Sequence, residues 1–314
     1  MQKKIYTLIK WIFAIAACAF LANKLFTFEY YQELWNTLQF FDLKQFIWLI
    51  TVLLLLVPNL ILEAVKWQLL NKKNELFSLK TSLKAVISGI STGFLTPNRI
   101  GEMAGRVLYL SPENRSKGVI LSIISGVTMT LTVLCAGIPA LTVFLFFTDK
   151  ILIDNKLTYF STAIFLTILL LCVYFLLPKF TEKISLHSKY PKVQKFCSHL
   201  QKFSTKDLFS IFCVALARYV VFCVQMYCML RLFKIDIPLI YSVAGICTNY
   251  LLITFTPSFS FAEGAIRSSW AAVVFGALGA NPISCILAGI CIWVINTMLP
   301  VLCGTFFILK KKNS

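Results

Sequence analysis

Long apolar runs separated by short polar connections set the pattern of this chain. Six of them, 5–22, 46–62, 119–147, 159–177, 208–232 and 283–309, approach or exceed the roughly 20 residues that a membrane-spanning helix needs. Four further segments, 82–95, 100–110, 239–255 and 262–280, are shorter and more polar, and each pair is interrupted at Pro97 or Pro257. Proline lacks a backbone donor and the residue before it avoids helical dihedrals, so each pair reads as two half-helices meeting at a turn. The pattern predicts an all-α polytopic membrane protein with about six full transmembrane helices and two proline-broken hairpins, re-entrant or built of short helices. The first run follows Lys3 and Lys4 and is read as a retained helix, because Ala22-Asn23-Lys24 is a poor signal-peptide cleavage site.

The two breaks carry the same landmarks. Thr96-Pro97-Asn98-Arg99-Ile100-Gly101-Glu102 is followed by Arg106, and Thr256-Pro257-Ser258-Phe259-Ser260-Phe261-Ala262-Glu263 is followed by Arg267. In each copy the arginine lies four residues beyond the glutamate, and a proline, Pro139 or Pro300, lies 37 positions beyond it. A single transmembrane domain over 1–314 is expected to consist of repeat halves at about 42–178 and 207–309, joined by a basic loop at 179–206. Counting spans from the N-terminus, the first motif starts from one side of the membrane and the second from the other. That is the inverted repeat of many secondary transporters, whose discontinuous helices meet near the midplane.

Composition agrees: 58% of residues are hydrophobic, against about 45–50% in an ordinary soluble domain. The net charge of +17 would suggest nucleic acid if it were spread evenly. Instead Lys and Arg gather at Lys3, Lys4 and Lys10, in 66–84, 99–117 and 179–206, and at Lys310–Lys312, while Lys24, Lys44, Lys150 and Lys156 sit in connections balanced by acids. This asymmetry is the positive-inside rule, which places both termini in the cytoplasm of a multi-pass protein of the cell membrane and removes nucleic acid as a partner. Ten of the eleven cysteines lie in apolar segments with no Cys-x-x-Cys, and His187 and His199 have no carboxylate at ligand spacing, so no metal or other cofactor is expected.

Ionisable groups inside apolar segments are costly and mark function by default. Glu102 with Arg106, and Glu263 with Arg267, share a helix face at a spacing of four and can pair. Such pairs either neutralise themselves and staple the hairpins or line a polar path that meets a charged headgroup. In the second reading the turn Thr96–Gly101 offers unpaired amides to an anion, Arg99 and Arg106 add planar donors suited to phosphate, and Ser258, Ser260, Ser268 and Ser269 place hydroxyls near Arg267. Arg218, ten residues into an apolar run, needs a partner or a route to an interface; Glu63 is the counterpart in the other half. Asn249 and Asn296 are expected to bond neighbouring helices. No catalytic constellation is evident, and an arginine beside each motif glutamate favours permanent ionisation over acid–base work.

Gly93-Phe94-Leu95-Thr96-Pro97-Asn98-Arg99-Ile100-Gly101-Glu102 with Arg106, and later Pro257 with Glu263, resembles the transmembrane region of the lysylphosphatidylglycerol synthases, a family also described as flippase-like. The second motif departs from the family's Pro-x-x-Gly-Gly-x-Gly-x-x-Glu pattern, with Phe259, Ser260 and Phe261 where glycines are usual. Members that synthesise lysyl-phosphatidylglycerol carry a C-terminal aminoacyl transfer domain, and the resemblance implies that activity to be absent here. It implies instead a membrane part that moves a lipid between leaflets. The residues themselves and the resemblance together give Thr96, Pro97, Arg99, Gly101, Glu102, Arg106, Arg218, Pro257, Ser260, Glu263 and Arg267 as candidate contacts. A membrane enzyme or accessory subunit in isoprenoid-linked or glycolipid metabolism, and a non-transporting scaffold, are the alternatives.

Overall fold

A computed structural model describes residues 42–94, 96–148, 156–187, 191–257 and 262–310. The expected first span at 5–22 and the candidate contact Ser260 lie outside these. Among the described residues the chain is helical and contains no strand. Five helices are long and apolar enough to cross a membrane, and they coincide with the other five expected runs.

The first half opens with α1 (Leu43–Asn71), followed by α2 (Leu79–Phe94), a turn at Pro97–Arg99, α3 (Gly101–Val107) and α4 (Arg115–Phe147). Then come α5 (Lys156–His187) and α6 (Pro191–Leu200). The second half of the chain contains α7 (Thr205–Leu232), α8 (Leu239–Phe255), α9 (Glu263–Ala277), α10 (Pro282–Trp293), a π-helical turn at Val294–Met298 and α11 (Leu299–Lys310). Both lead helices start on a reciprocal capping box. Asp42 Oδ1 accepts from Gln45 N at 3.1 Å while Gln45 Oε1 accepts from Asp42 N, and Ser204 and Asp207 exchange the same bonds.

α1 extends nine residues past its apolar run. Ala64, Lys66, Trp67, Leu70 and Asn71 are buried in that extension, so the helical stripe continues where average hydropathy falls. Lys66, assigned to a basic loop by hydropathy, is therefore inside a helix. α4 stays helical through Pro139. At the matching Pro300 the backbone instead takes the π turn just upstream, one way of accommodating a missing donor.

The halves pack crosswise. α1 and α7 run antiparallel, with Trp48 against Tyr227, Val52 O accepting from Gln225 Nε2 at 3.1 Å, and Lys73 paired with Asp207 at 2.5 Å. α2 of the first half lies on α11 of the second, where Ser91 Oγ donates to Val301 O at 2.9 Å and Gly304 abuts Ile87. The reciprocal pair is α8 on α4, with Leu251 against Gly137 and Tyr241 against Phe147. Each hairpin's first arm thus leans on the long helix of the opposite half. The outward faces carry exposed Leu54, Phe165, Val220 and Val273, apolar surface that a bilayer would cover.

Candidate functional site

The first hairpin is locked at its turn. Asn98 and Arg99 both take left-handed backbone angles, φ 49° and 57°, which are unfavourable for residues with a Cβ and must be held in place. Thr96 holds them: its Oγ1 donates to Gly93 O at 3.0 Å and accepts from Gly101 N at 2.7 Å. Thr92 Oγ1 donates to Gly101 O at 2.7 Å from the facing helix, and a Cβ at Gly101 would strike Thr92 and Thr96. The turn consequently aims Arg99 across to the second hairpin.

This geometry corrects one expectation. The amide at the start of α3 is not open to an anion, because Gly101 N already binds Thr96 and α3 spans only seven residues. Of the four serines expected near Arg267, Ser258 and Ser260 lie outside the described residues, Ser268 instead donates to Gly264 O at 2.6 Å and Ser269 is exposed; among the described residues Arg267 bonds Glu263. Pro257 is exposed behind Thr256, whose hydroxyl accepts from Trp270 Nε1 at 2.9 Å. Pro97 belongs to the locked turn.

Both expected i,i+4 pairs are present: Arg106 with Glu102, and Arg267 with Glu263 at 2.7 Å. Neither is isolated. Arg99 Nε and Nη2 donate to Glu263 Oε2 at 3.2 and 2.9 Å, joining the two motifs directly, and Nη2 also reaches Thr297 Oγ1 at 3.1 Å. On the other side Arg106 donates to Glu63 at 2.6 Å.

Glu63 is the hub. Only 2% exposed, it meets Lys66 Nζ at 2.8 Å, Arg106 and Arg218. Arg218 is the fourteenth of the 28 residues of α7, roughly 20 Å from either end and too deep to snorkel. The Arg218–Glu63 alternative therefore holds. Beside it runs a polar string across the half boundary: Arg218 Nε to Asn59 Oδ1 at 2.8 Å, Asn59 Nδ2 to Asn296 Oδ1 at 3.0 Å, and Asn296 Nδ2 to Gln225 Oε1 at 3.1 Å. Asn296 bonds neighbouring helices as expected. The sequence reading missed Lys66, Asn59 and Gln225; the i,i+3 spacing of Glu63 and Lys66 with Trp67 next to it was the available signal.

These groups surround one cavity of about 440 Å³, lined by Glu63, Lys66, Arg99, Glu102, Arg106, Arg218 and Arg267 and by polar groups such as Ser125, Tyr250 and Asn296. The volume falls within the range of small-ligand sites. Glu263 stands in the wall between Arg99 and Arg267. Of the candidate residues, Arg99, Glu102, Arg106, Arg218, Glu263 and Arg267 converge here, while Thr96 and Gly101 shape the turn that delivers Arg99. Among the described residues of the cavity and its wall the basic side chains outnumber the carboxylates by five to three.

No curated protein and no solved structure matches the chain. The family model of the lysylphosphatidylglycerol synthase TM region matches residues 7–304, most of the 314-residue chain. The chain belongs to that family.

Proposed function

We propose that this protein binds the anionic headgroup of a membrane lipid in the shared cavity and carries it between leaflets, acting as a translocase and not as an enzyme. The observation that carries the reading is the positive excess of a buried cavity built by both hairpins, five basic groups around three carboxylates. A net excess of one sign inside a membrane is expensive unless a counter-charge arrives, and a lipid phosphate is the counter-charge the bilayer offers.

The description of the family, a synthase of an aminoacylated phospholipid, supports a lipid as the ligand. The crosswise packing of α2 on α11 and α8 on α4 supports two inverted halves, about 42–178 and 207–309. In that arrangement rocking one half against the other would expose the site to each side in turn. The charge asymmetry supports a cell-membrane orientation with both termini in the cytoplasm. Arg99–Glu263 favours this reading over a scaffold, because a scaffold has no need to bury the charges of both motifs in one place.

The test is a flipping assay with the purified full-length protein in vesicles carrying fluorescent phosphatidylglycerol, phosphatidic acid or phosphatidylcholine, read by dithionite bleaching. Protein-dependent loss of the inner-leaflet signal is expected for an anionic label and not for phosphatidylcholine. If no anionic label moves faster than in protein-free vesicles, the translocase reading is wrong.

A further inference from the structure

We infer that the site takes a dianionic phosphate headgroup, that of a lipid phosphomonoester, in preference to the monoanionic phosphodiester of common phospholipids. This rests on the reading of the cavity as an anionic-lipid site and specifies the charge of its ligand.

Two observations carry it. The first is charge balance. Lys66, Arg99, Arg106, Arg218 and Arg267 face Glu63, Glu102 and Glu263, an excess of two positive charges. Lys66 bridges Glu63 at 2.8 Å, and arginine does not deprotonate in proteins. A ligand with two negative charges brings the cluster to neutrality, whereas one with a single charge leaves a cation uncompensated in a shielded place, where charge is costly.

The second is the set of donors left over. Arg99 and Arg267 each spend Nε and Nη2, and Arg218 spends Nε and Nη1, on protein acceptors. Among the described residues Arg99 Nη1, Arg218 Nη2 and Arg267 Nη1 make no hydrogen bond, and all three side chains line the cavity while remaining partly exposed. Deeper, Arg106 keeps Nε and Nη1 buried without an acceptor. A terminal phosphate has three equivalent oxygens to offer such donors, and a phosphodiester has two with an alkyl group in the way. The three guanidiniums come from the first hairpin, α7 and the second hairpin, so the phosphate would bridge both halves.

Dodecyl phosphate and dodecyl methyl phosphate test this, because they share a chain and differ by one methyl cap and one charge. At pH 8 the monoester is essentially dianionic, its second pKa being about 6. Binding to the full-length protein in detergent is followed by calorimetry, with inorganic phosphate as the third probe. The monoester is expected to bind at least about tenfold tighter than its methyl ester, and inorganic phosphate more weakly than either. Arg267→Gln, which reduces the excess to one, is expected to abolish the preference. If the two amphiphiles bind equally, the dianion inference fails while the anionic-lipid reading stands. If neither binds, both fail. Inorganic phosphate binding as tightly as dodecyl phosphate would make this a site for a soluble ion and overturn the lipid assignment. Should Arg267→Gln not fold, the comparison on the unaltered protein still decides.

Discussion

The two hairpins carry the same Glu-x-x-x-Arg pair, yet they bury opposite members of it. In the first, Arg106 is 5% exposed and Glu102 26%; in the second, Glu263 is 8% exposed and Arg267 22%. The reason is the third partner. Arg106 faces Glu63 from α1, and Glu263 faces Arg99 from the opposite hairpin. A repeated motif thus supplies the same charges twice, while the neighbour from elsewhere in the fold decides which charge is fixed in the wall and which is left toward the cavity.

Glu63 should be the most sensitive position, since it pairs with three basic groups. Glu63→Gln strands buried cations and is expected to cost about 3–5 kcal/mol, seen as lost folded protein in size-exclusion chromatography or a large drop in thermal midpoint. The same mechanism ranks the two arginines. Arg106→Gln removes a buried partner of two glutamates and is expected to cost about 3 kcal/mol, whereas Arg267→Gln, at a partly exposed pair, is expected to stay within about 1 kcal/mol. Equal costs would break the comparison. For the glutamates the order reverses, with Glu263→Gln more damaging to stability than Glu102→Gln.

What could be read in advance follows the range of each interaction. Apolar runs and proline breaks act within one helix, so five spans and both hairpins were legible, as were the pairs four residues apart. The Arg99–Glu263 bridge was not, because nothing local connects residue 99 to residue 263. Lys66 was hidden for another reason: an average over a window falls wherever charges begin, although Ala64, Trp67 and Leu70 still keep helical spacing. Thr96 was noticed only as a landmark. Its role in capping Gly101 depends on the left-handed turn at Asn98 and Arg99, which no composition rule announces.

Thr96 separates the hairpins more gently. Thr96→Val removes the acceptor for Gly101 N and is expected to cost about 1 kcal/mol and loosen the aim of Arg99. Thr256→Val disturbs a bond to Trp270 outside the charged cluster and should leave ligand affinity unchanged. The smallest effect belongs to Glu75, in the connection between α1 and α2. Burial raises its pKa, but bonds from Ser111 Oγ at 2.8 Å, Ser111 N at 3.1 Å and Asn114 Nδ2 at 3.1 Å outweigh that and hold it below the usual carboxylate value. Its contribution is present above the unfolded pKa and is lost as pH falls through the folded one. Glu75→Gln should therefore lower stability slightly at neutral pH and flatten the acid limb of a thermal-midpoint profile.

The Arg99–Glu263 contact joins the two motifs at one site. A double-mutant cycle with Arg99→Gln, Glu263→Gln and the combination, read as thermal unfolding of the full-length protein in one detergent, isolates their coupling. A coupling of at least about 0.5 kcal/mol, with the double variant less impaired than the sum of the singles, is the expected result. Strict additivity would mean that the hairpins do not meet and would contradict the shared cavity.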